Sequence, residues 1–171
     1  MTQQIGLRYG LLAGFGSTFY MACLYSVSKE YYYNQWYGIG VTVLYIFMML
    51  KAGLKYRRIV NPNATFQDTI KVTFMVVIVA SFLVAVFSYL MPNVVDTSLL
   101  EMLKGYQLED LMAQKAQQND MDNIKRINAN IAMIETNGVQ FTFSDAAFSF
   151  ARSLVSGFIF AALSAYLTKK Q

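Results

Sequence analysis

Long apolar runs separated by polar segments set the pattern of this chain. Four runs of about 20 mostly apolar residues cover approximately residues 9–27, 33–50, 72–91 and 148–167. A helix of this length crosses the hydrocarbon core of a bilayer, because it rises about 1.5 Å per residue and satisfies its own backbone hydrogen bonds. The pattern predicts an all-α integral membrane four-helix bundle, a single membrane domain over residues 1–171, with the start of the fourth span its least defined boundary.

The polar segment 96–145, between the third and fourth runs, has a helical pattern of its own. Ser98 and Glu101 have the spacing of a capping box, which predicts that one helix begins there. A second helix, ending at Asn137-Gly138, is predicted from apolar residues three and four positions apart. The segment is therefore expected to form a helical hairpin inserted between spans three and four.

The second hairpin helix carries an isoleucine stripe, formed by Ile124, Ile127, Ile131 and Ile134. An apolar stripe of this kind is buried against something. One interpretation is that the two hairpin helices pack on each other and on the outer ends of the spans. The alternative is a docking surface for another membrane subunit or a second copy of the chain.

Small residues recur at every fourth position in two of the spans. The first ridge is Gly6, Gly10 and Gly14, and the second ridge is Gly157, Ala161 and Ala165. Small residues let helix backbones approach closely in lipid, where packing contacts and hydrogen bonds drive association. We expect spans one and four to pack together through these ridges, with homodimerisation through one ridge as the alternative.

The turn before the third span and the end of that span are also marked. Asn61-Pro62-Asn63 predicts a turn, and Thr65 with Asp68 predicts a capping box that opens the third helix. Pro92 is expected to end or kink the third span.

The charged residues are sorted between segments. Only 14% of residues are charged, against about 25% in a soluble domain, and the apolar runs contain one of them, Arg152. Residues 51–71 carry the basic cluster Lys51, Lys55, Arg57 and Arg58, whereas residues 96–145 hold eight acidic and four basic residues. The positive-inside rule therefore places both termini, with Lys169 and Lys170, in the cytoplasm and residues 96–145 in the periplasm. Tyrosines and Trp36 around the first loop, Tyr33 among them, are expected to form an outer aromatic belt.

Two sets of charged residues are candidate sites. Arg152, near the outer edge of the fourth span, is expected to snorkel or to pair with Asp96 or Asp145; the alternative is an anion site, for instance for a lipid phosphate. The basic cluster is mainly a topology signal, with membrane lipid headgroups as its expected partners. Because these basic residues adjoin apolar runs, no nucleic acid partner is expected.

Residues that usually carry catalysis are scarce. The chain has no histidine and a single cysteine, Cys23, which excludes an intrachain disulfide and the commonest metal ligands. No Asp or Glu lies within a span, which weighs against an ion-coupled transporter. Hydroxyl residues in the spans, such as Thr18, Thr42 and Thr73, are expected to bond to their own helix. We expect neither a cofactor nor a metal nor catalysis.

The second loop, residues 51–71, and the third span, read together with the flanking segments, resemble a bacterial four-span family known as domain of unknown function 4199. The resemblance rests on Gly10 and Gly14, the Tyr56-Arg57 pair, the turn and helix start at 61–66, the polar segment 96–145 and the last span at 157–170. In this family the turn before Thr65 often contains glycine, whereas here it is Asn-Pro-Asn-Ala. The resemblance implies a Gram-negative inner membrane protein and brings no activity.

These observations favour a non-enzymatic inner-membrane protein that acts as a scaffold or accessory subunit, with membrane lipids and a second copy or another membrane subunit as partners. The alternative is a small transporter or lipid-handling protein that uses Arg152. An enzyme acting on a membrane-bound substrate is a third hypothesis, and it would depend on loop carboxylates and lysines.

Overall fold

The computed structural model of the protein describes residues 2–32 and 35–168, with the backbone alone for residues 2 and 35–37. Six α-helices follow one another along the chain, and the described residues include no strand. The helices are α1 (Thr2–Val27), α2 (Gln35–Ile59), α3 (Phe66–Leu90), α4 (Ser98–Gln117), α5 (Met121–Asn137) and α6 (Phe143–Leu167). A 3₁₀ turn, Lys29–Tyr32, follows α1, and a π-helical turn, Met91–Val95, follows α3. The all-α prediction is confirmed.

Four helices are long and apolar enough to cross a membrane, judged by length and composition over the described residues. They comprise Gln3–Val27, Gly38–Ile59, Phe66–Val95 and Phe143–Leu167. Each helix extends past the apolar run that predicted it, because polar residues at its ends continue the helix. Tyr33, Lys169 and Lys170 lie outside the described residues, as does the side chain of Trp36.

The chain forms two compact units. The span unit lies within Met1–Ser88 and Phe143–Gln171, and the hairpin unit lies within Tyr89–Thr142. The span unit contains α1, α2, most of α3 and α6, and the hairpin unit contains α4 and α5.

The core of the span unit is built from small and β-branched residues. Ala13, Ala52, Val76, Ala80 and Ala161 are all fully buried members of one cluster. Helices with such residues at their contacts approach closely, and close approach gains dispersion contacts that long side chains would prevent.

Both small-residue ridges contact α3. A Cβ added at Gly6 would lie 2.7 Å from Cβ of Met75, and one added at Gly10 would lie 2.7 Å from Cβ of Val79. On the second ridge, a Cβ at Gly157 would clash with Cγ1 of Val77. The expectation that the two ridges pack on each other was wrong. α3 is the most apolar helix and supplies the contact surface for both.

Hydroxyl groups in the spans mostly bond within their own helix, as expected. Thr18 donates to the carbonyl of Phe15 at 3.0 Å, and Thr42 donates to that of Gly38 at 2.7 Å. Oγ1 of Thr73 also lies 3.1 Å from the carbonyl oxygen of Ala161 on α6, so this hydroxyl links two helices inside the core. The hydroxyls of Ser17 and Ser81 are buried with no hydrogen-bond partner.

The hairpin unit begins in the last turn of α3, and the π-helical turn that contains Pro92 continues directly from that helix. Pro92 has no N–H to donate, and the backbone N–H of Asp96 reaches the carbonyl of Met91 at 2.8 Å. Nδ2 of Asn93 donates to the carbonyl of Phe141 at 3.0 Å. This side chain joins the segment that enters the hairpin to the segment that leaves it.

The caps of the hairpin helices match the sequence in part. Asp120 caps α5 by accepting the backbone N–H of Asp122 at 3.0 Å, and Gly138 ends that helix with a φ of 70°. The predicted end at Asn137-Gly138 is confirmed. The predicted capping box at Ser98 was wrong, because α4 includes Ser98 as its first residue, whereas a helix capped by Ser98 would begin one residue later. The side chain of Asp96 instead accepts the backbone N–H of Ser98 at 3.0 Å.

Candidate functional site

Most of the positive charge of the span unit lies at one end, where the second loop joins α2 to α3. This basic end is formed by the start of α1, the end of α2 and the start of α3. It contains Arg8, the basic cluster and Lys71, with Asp68 as its acidic residue. Excess positive charge at one end of a group of apolar helices attracts anionic groups at a membrane surface.

A capping box fixes the start of α3. The carboxylate of Asp68 accepts the hydroxyl of Thr65 at 2.7 Å and its backbone N–H at 3.2 Å, while Oγ1 of Thr65 accepts the backbone N–H of Asp68. The predicted capping box is confirmed. Lys71, one turn later, places Nζ 4.0 Å from the same carboxylate.

Arg57 ties the second loop to both of its flanking helices. Its Nη2 donates to the carbonyl of Ala64 at 2.8 Å, and its Nε donates to Oγ1 of Thr69 at 3.2 Å. The neighbouring Tyr56 is buried in the core of the span unit. Because its guanidinium is committed to these two acceptors, Arg57 has an internal structural role. The sequence predicted it as part of a topology signal and as a headgroup contact, and did not predict this role.

The other members of the basic cluster are exposed. Nζ of Lys51 lies 4.8 Å from the centroid of the Phe47 ring, one turn earlier on α2. Nζ of Lys55 lies 5.7 Å from the centroid of the Tyr9 ring on α1, so Lys55 bridges two helices. Arg58 is exposed. Contact with an aromatic face leaves donors of a lysine ammonium available to an anion.

Two open grooves flank α1 at the basic end. The first groove, of about 680 Å³, lies between α1 and α2 and is lined by Arg8, Tyr9, Leu12, Lys55 and Ile59, among others. The second groove, of about 500 Å³, lies between α1 and α3 and includes Asp68 and Lys71. In the part of the chain that the structure describes, the first groove combines two cations with apolar walls and is lined by no carboxylate. In the second groove, the positive charge of Lys71 is offset by the negative charge of Asp68.

Arg152 lies on α6 towards the end opposite Thr168. Its side chain is exposed, and Asp145, seven residues earlier, is on the same face of the helix, because seven residues make nearly two full turns. Asp96 belongs to the hairpin unit, where it caps α4. Pairing of Arg152 with either carboxylate stays a prediction. Neither groove is lined by Arg152, so the grooves lend no support to a transport path through it.

The isoleucine stripe is partly covered. Ile124, Ile127, Ile131 and Ile134 are each half-buried, and α5 has no fully buried residue. α4 packs beside α5, and Nζ of Lys104 donates to the carbonyl of Glu135 at 3.2 Å. The stripe therefore contributes to hairpin packing without being closed off by it.

The sequence did not predict that Arg8 and Lys55 line the same groove. Two signals pointed to Arg8: it is the only charged side chain in the sequence before Ser28, and it directly precedes the first apolar run. What the sequence does not give is the pairing of α1 with α2 that brings Arg8 and Lys55 to one groove.

The fold and these sites define an all-helical protein of the membrane class, with four helices able to cross a bilayer and a polar hairpin inserted before the last. The chain belongs to a family described as a protein of unknown function (DUF4199), whose model matches residues 8–170. The family suggested by the second loop and third span is thereby confirmed. Neither a curated protein nor a solved structure matches the chain.

Proposed function

We propose that this protein is a non-enzymatic, multi-pass protein of the bacterial inner membrane that acts as a scaffold or accessory subunit. In this proposal both termini and the second loop are cytoplasmic, and the hairpin unit lies in the periplasm, where it docks a partner. The partner is another membrane subunit or a second copy of the chain.

The observation that carries the proposal is the incomplete burial of the isoleucine stripe. Four isoleucines on one face of α5 are only partly buried with α4 in place. A row of partly buried apolar side chains attracts a partner, because covering the remainder removes apolar area from water, a gain of about 25 cal/mol per Å². Most of the exposed residues of α5 outside the stripe are polar or charged, which favours the stripe side for a partner.

The charge distribution supports the proposed orientation. Residues 51–71 have five basic residues against one acidic residue, whereas residues 96–145 have twice as many acidic as basic residues. Lysine and arginine in short loops are retained on the cytoplasmic side during insertion.

The proposal is tested by native gel analysis of complexes extracted from native membranes with mild detergent. The wild-type chain is expected to migrate with a stoichiometric partner or as a dimer, and the variant Ile127→Asp with Ile131→Asp as a monomer. The matched control, Asn128→Asp with Ala132→Asp, adds the same charge to the exposed side of α5 and is expected to keep the complex.

Photo-crosslinking separates loss of docking from unfolding of the hairpin. A photoreactive side chain at position 127 is expected to capture the partner, whereas one at position 128 is not. A wild-type chain that is monomeric in both experiments, or a stripe variant that keeps its complex, contradicts the docking proposal.

A further inference from the structure

The first groove has features of a binding site that the proposed docking role does not use. Its lining joins α1 to α2, and among the described residues it contains two cations, Arg8 and Lys55, and no acidic residue. The remaining lining is mostly apolar. A ligand that complements it needs a negative charge at one end and a hydrocarbon portion at the other.

The two cations are separated from the opposite ends of their helices by almost the thickness of a bilayer core. Arg8 is about 28 Å along α1 from Val27, and Lys55 is about 26 Å along α2 from Gly38, at 1.5 Å per residue. The hydrocarbon core of a bilayer is about 30 Å thick. If the opposite ends of these helices lie at the far interface, both cations reach the level of the phosphates on the basic side.

The apolar walls of the groove are open. Leu7, Leu12 and Ile59 are 46%, 57% and 69% exposed. Leu12 lies one helical turn from Arg8 in the direction of the membrane centre, which is where the acyl chain of a lipid extends from its headgroup. Tyr9, beneath Nζ of Lys55, provides a further apolar surface between the charged and hydrocarbon portions.

We infer that the first groove binds one anionic phospholipid, whose phosphate contacts Arg8 and Lys55 and whose acyl chain lies along Leu12. A guanidinium offers paired N–H donors to phosphate oxygens, and an ammonium adds a mobile positive charge. The second groove is not such a site, because the Asp68 carboxylate would repel the phosphate. The site is independent of the hairpin and of the proposed docking role.

Native mass spectrometry of the full chain in detergent tests the site, with phosphatidylglycerol and phosphatidylcholine of identical acyl chains as probes. A basic side chain near an anionic surface contributes about fivefold in affinity. Arg8→Gln with Lys55→Gln is therefore expected to reduce the preference for phosphatidylglycerol about 25-fold. The matched control, Lys51→Gln with Arg58→Gln, removes the same charges at the same end but outside the groove, and is expected to reduce the preference much less than the groove pair does.

A second variant tests the hydrocarbon part of the groove. Leu12→Trp fills the apolar wall while leaving both cations in place, and is expected to weaken binding of phosphatidylglycerol. Inorganic phosphate at millimolar concentration is expected not to displace the lipid. The inference is overturned if the control pair loses the preference as fully as the groove pair, if Leu12→Trp leaves binding unchanged, or if free phosphate competes. Loss of hairpin docking in the stripe variant would leave these lipid results unaffected.

Discussion

Replacing Gly10 with alanine tests whether α1 is built to contact α3 at backbone distance. A Cβ at this position would lie 2.7 Å from Cβ of Val79 and 3.2 Å from the carbonyl oxygen of Val76. Carbon atoms in favourable contact are about 3.5–4.0 Å apart. α3 would therefore have to recede by about 1 Å, and the neighbouring contacts of Gly6 and Gly14 would loosen with it.

The size of the effect follows from comparison with Gly38→Ala, a matched control on α2. A Cβ at Gly38 meets nothing within 4 Å. Both substitutions gain the same helix propensity, about 1 kcal/mol, so the difference between the variants reports the overpacking at Gly10 alone. Overpacking costs about 1–3 kcal/mol, and the short contact at Gly10 favours the upper half of that range.

Thermal unfolding in detergent, followed by helical circular dichroism, measures this difference. About 2–4 °C in Tm corresponds to 1 kcal/mol for a chain of this size. Gly10→Ala is expected to melt about 4–12 °C below Gly38→Ala. Equal Tm values would refute the close contact between α1 and α3, and dissociation of a dimer at unchanged Tm would identify the first ridge as a homodimer surface instead.

Three further substitution pairs test other parts of the structure. Arg57→Gln removes two hydrogen bonds that hold the second loop and is expected to cost about 1.5–3 kcal/mol in unfolding free energy, whereas Arg58→Gln should change it by less than about 0.5 kcal/mol; equal losses would rule out the Arg57 role. Gly138→Ala places a side chain on a residue with a φ of 70° and should destabilise α5 by about 1–3 kcal/mol, measured as faster amide exchange near the end of that helix. The control Gly105→Ala adds a Cβ in open space on α4 and should leave amide exchange in the other helices unchanged. In cells lacking the native cysteine, a membrane-impermeant maleimide is expected to label Asp120→Cys and to leave Arg58→Cys unlabelled; the reverse labelling would invert the proposed orientation.

Features encoded by local pattern were predictable from the sequence. The spans follow from the length of the apolar runs, the start of α3 follows from Thr65 and Asp68, and the end of α5 follows from Gly138. In each case the residues that determine the feature are within a few positions of one another. The start of α4 was misassigned because two local signals compete there, and Asp96 provides the acceptor that Ser98 was expected to provide.

Helix pairing was not predictable in the same way. A ridge such as Gly6, Gly10 and Gly14 identifies a face that packs closely, but it does not identify the partner, because the opposing surface of α3 is made of larger side chains such as Met75 and Val79. Small-residue spacing alone therefore suggested the wrong pair of spans.

Prediction of the candidate sites also requires knowing which helices pack together. In the sequence, Arg57 resembles any other member of a basic cluster. Only the position of the Ala64 carbonyl and the Thr69 hydroxyl distinguishes it from its exposed neighbours. Likewise, Arg8 and Lys55 are 47 positions apart, and the packing of α1 against α2 is what places them in one groove.

The contact between the first ridge and α3 also bears on biosynthesis. The part of α3 that covers Gly10 and Gly14 follows them by about 70 residues, an interval that takes about 3.5–14 s to synthesise at about 5–20 residues per second. During that time α1 has only α2 as a neighbour within the chain, and its glycine face borders lipid or the insertion machinery. Completion of the bundle therefore waits for the third span, and a nascent chain stalled before it leaves a glycine surface uncovered in the bilayer.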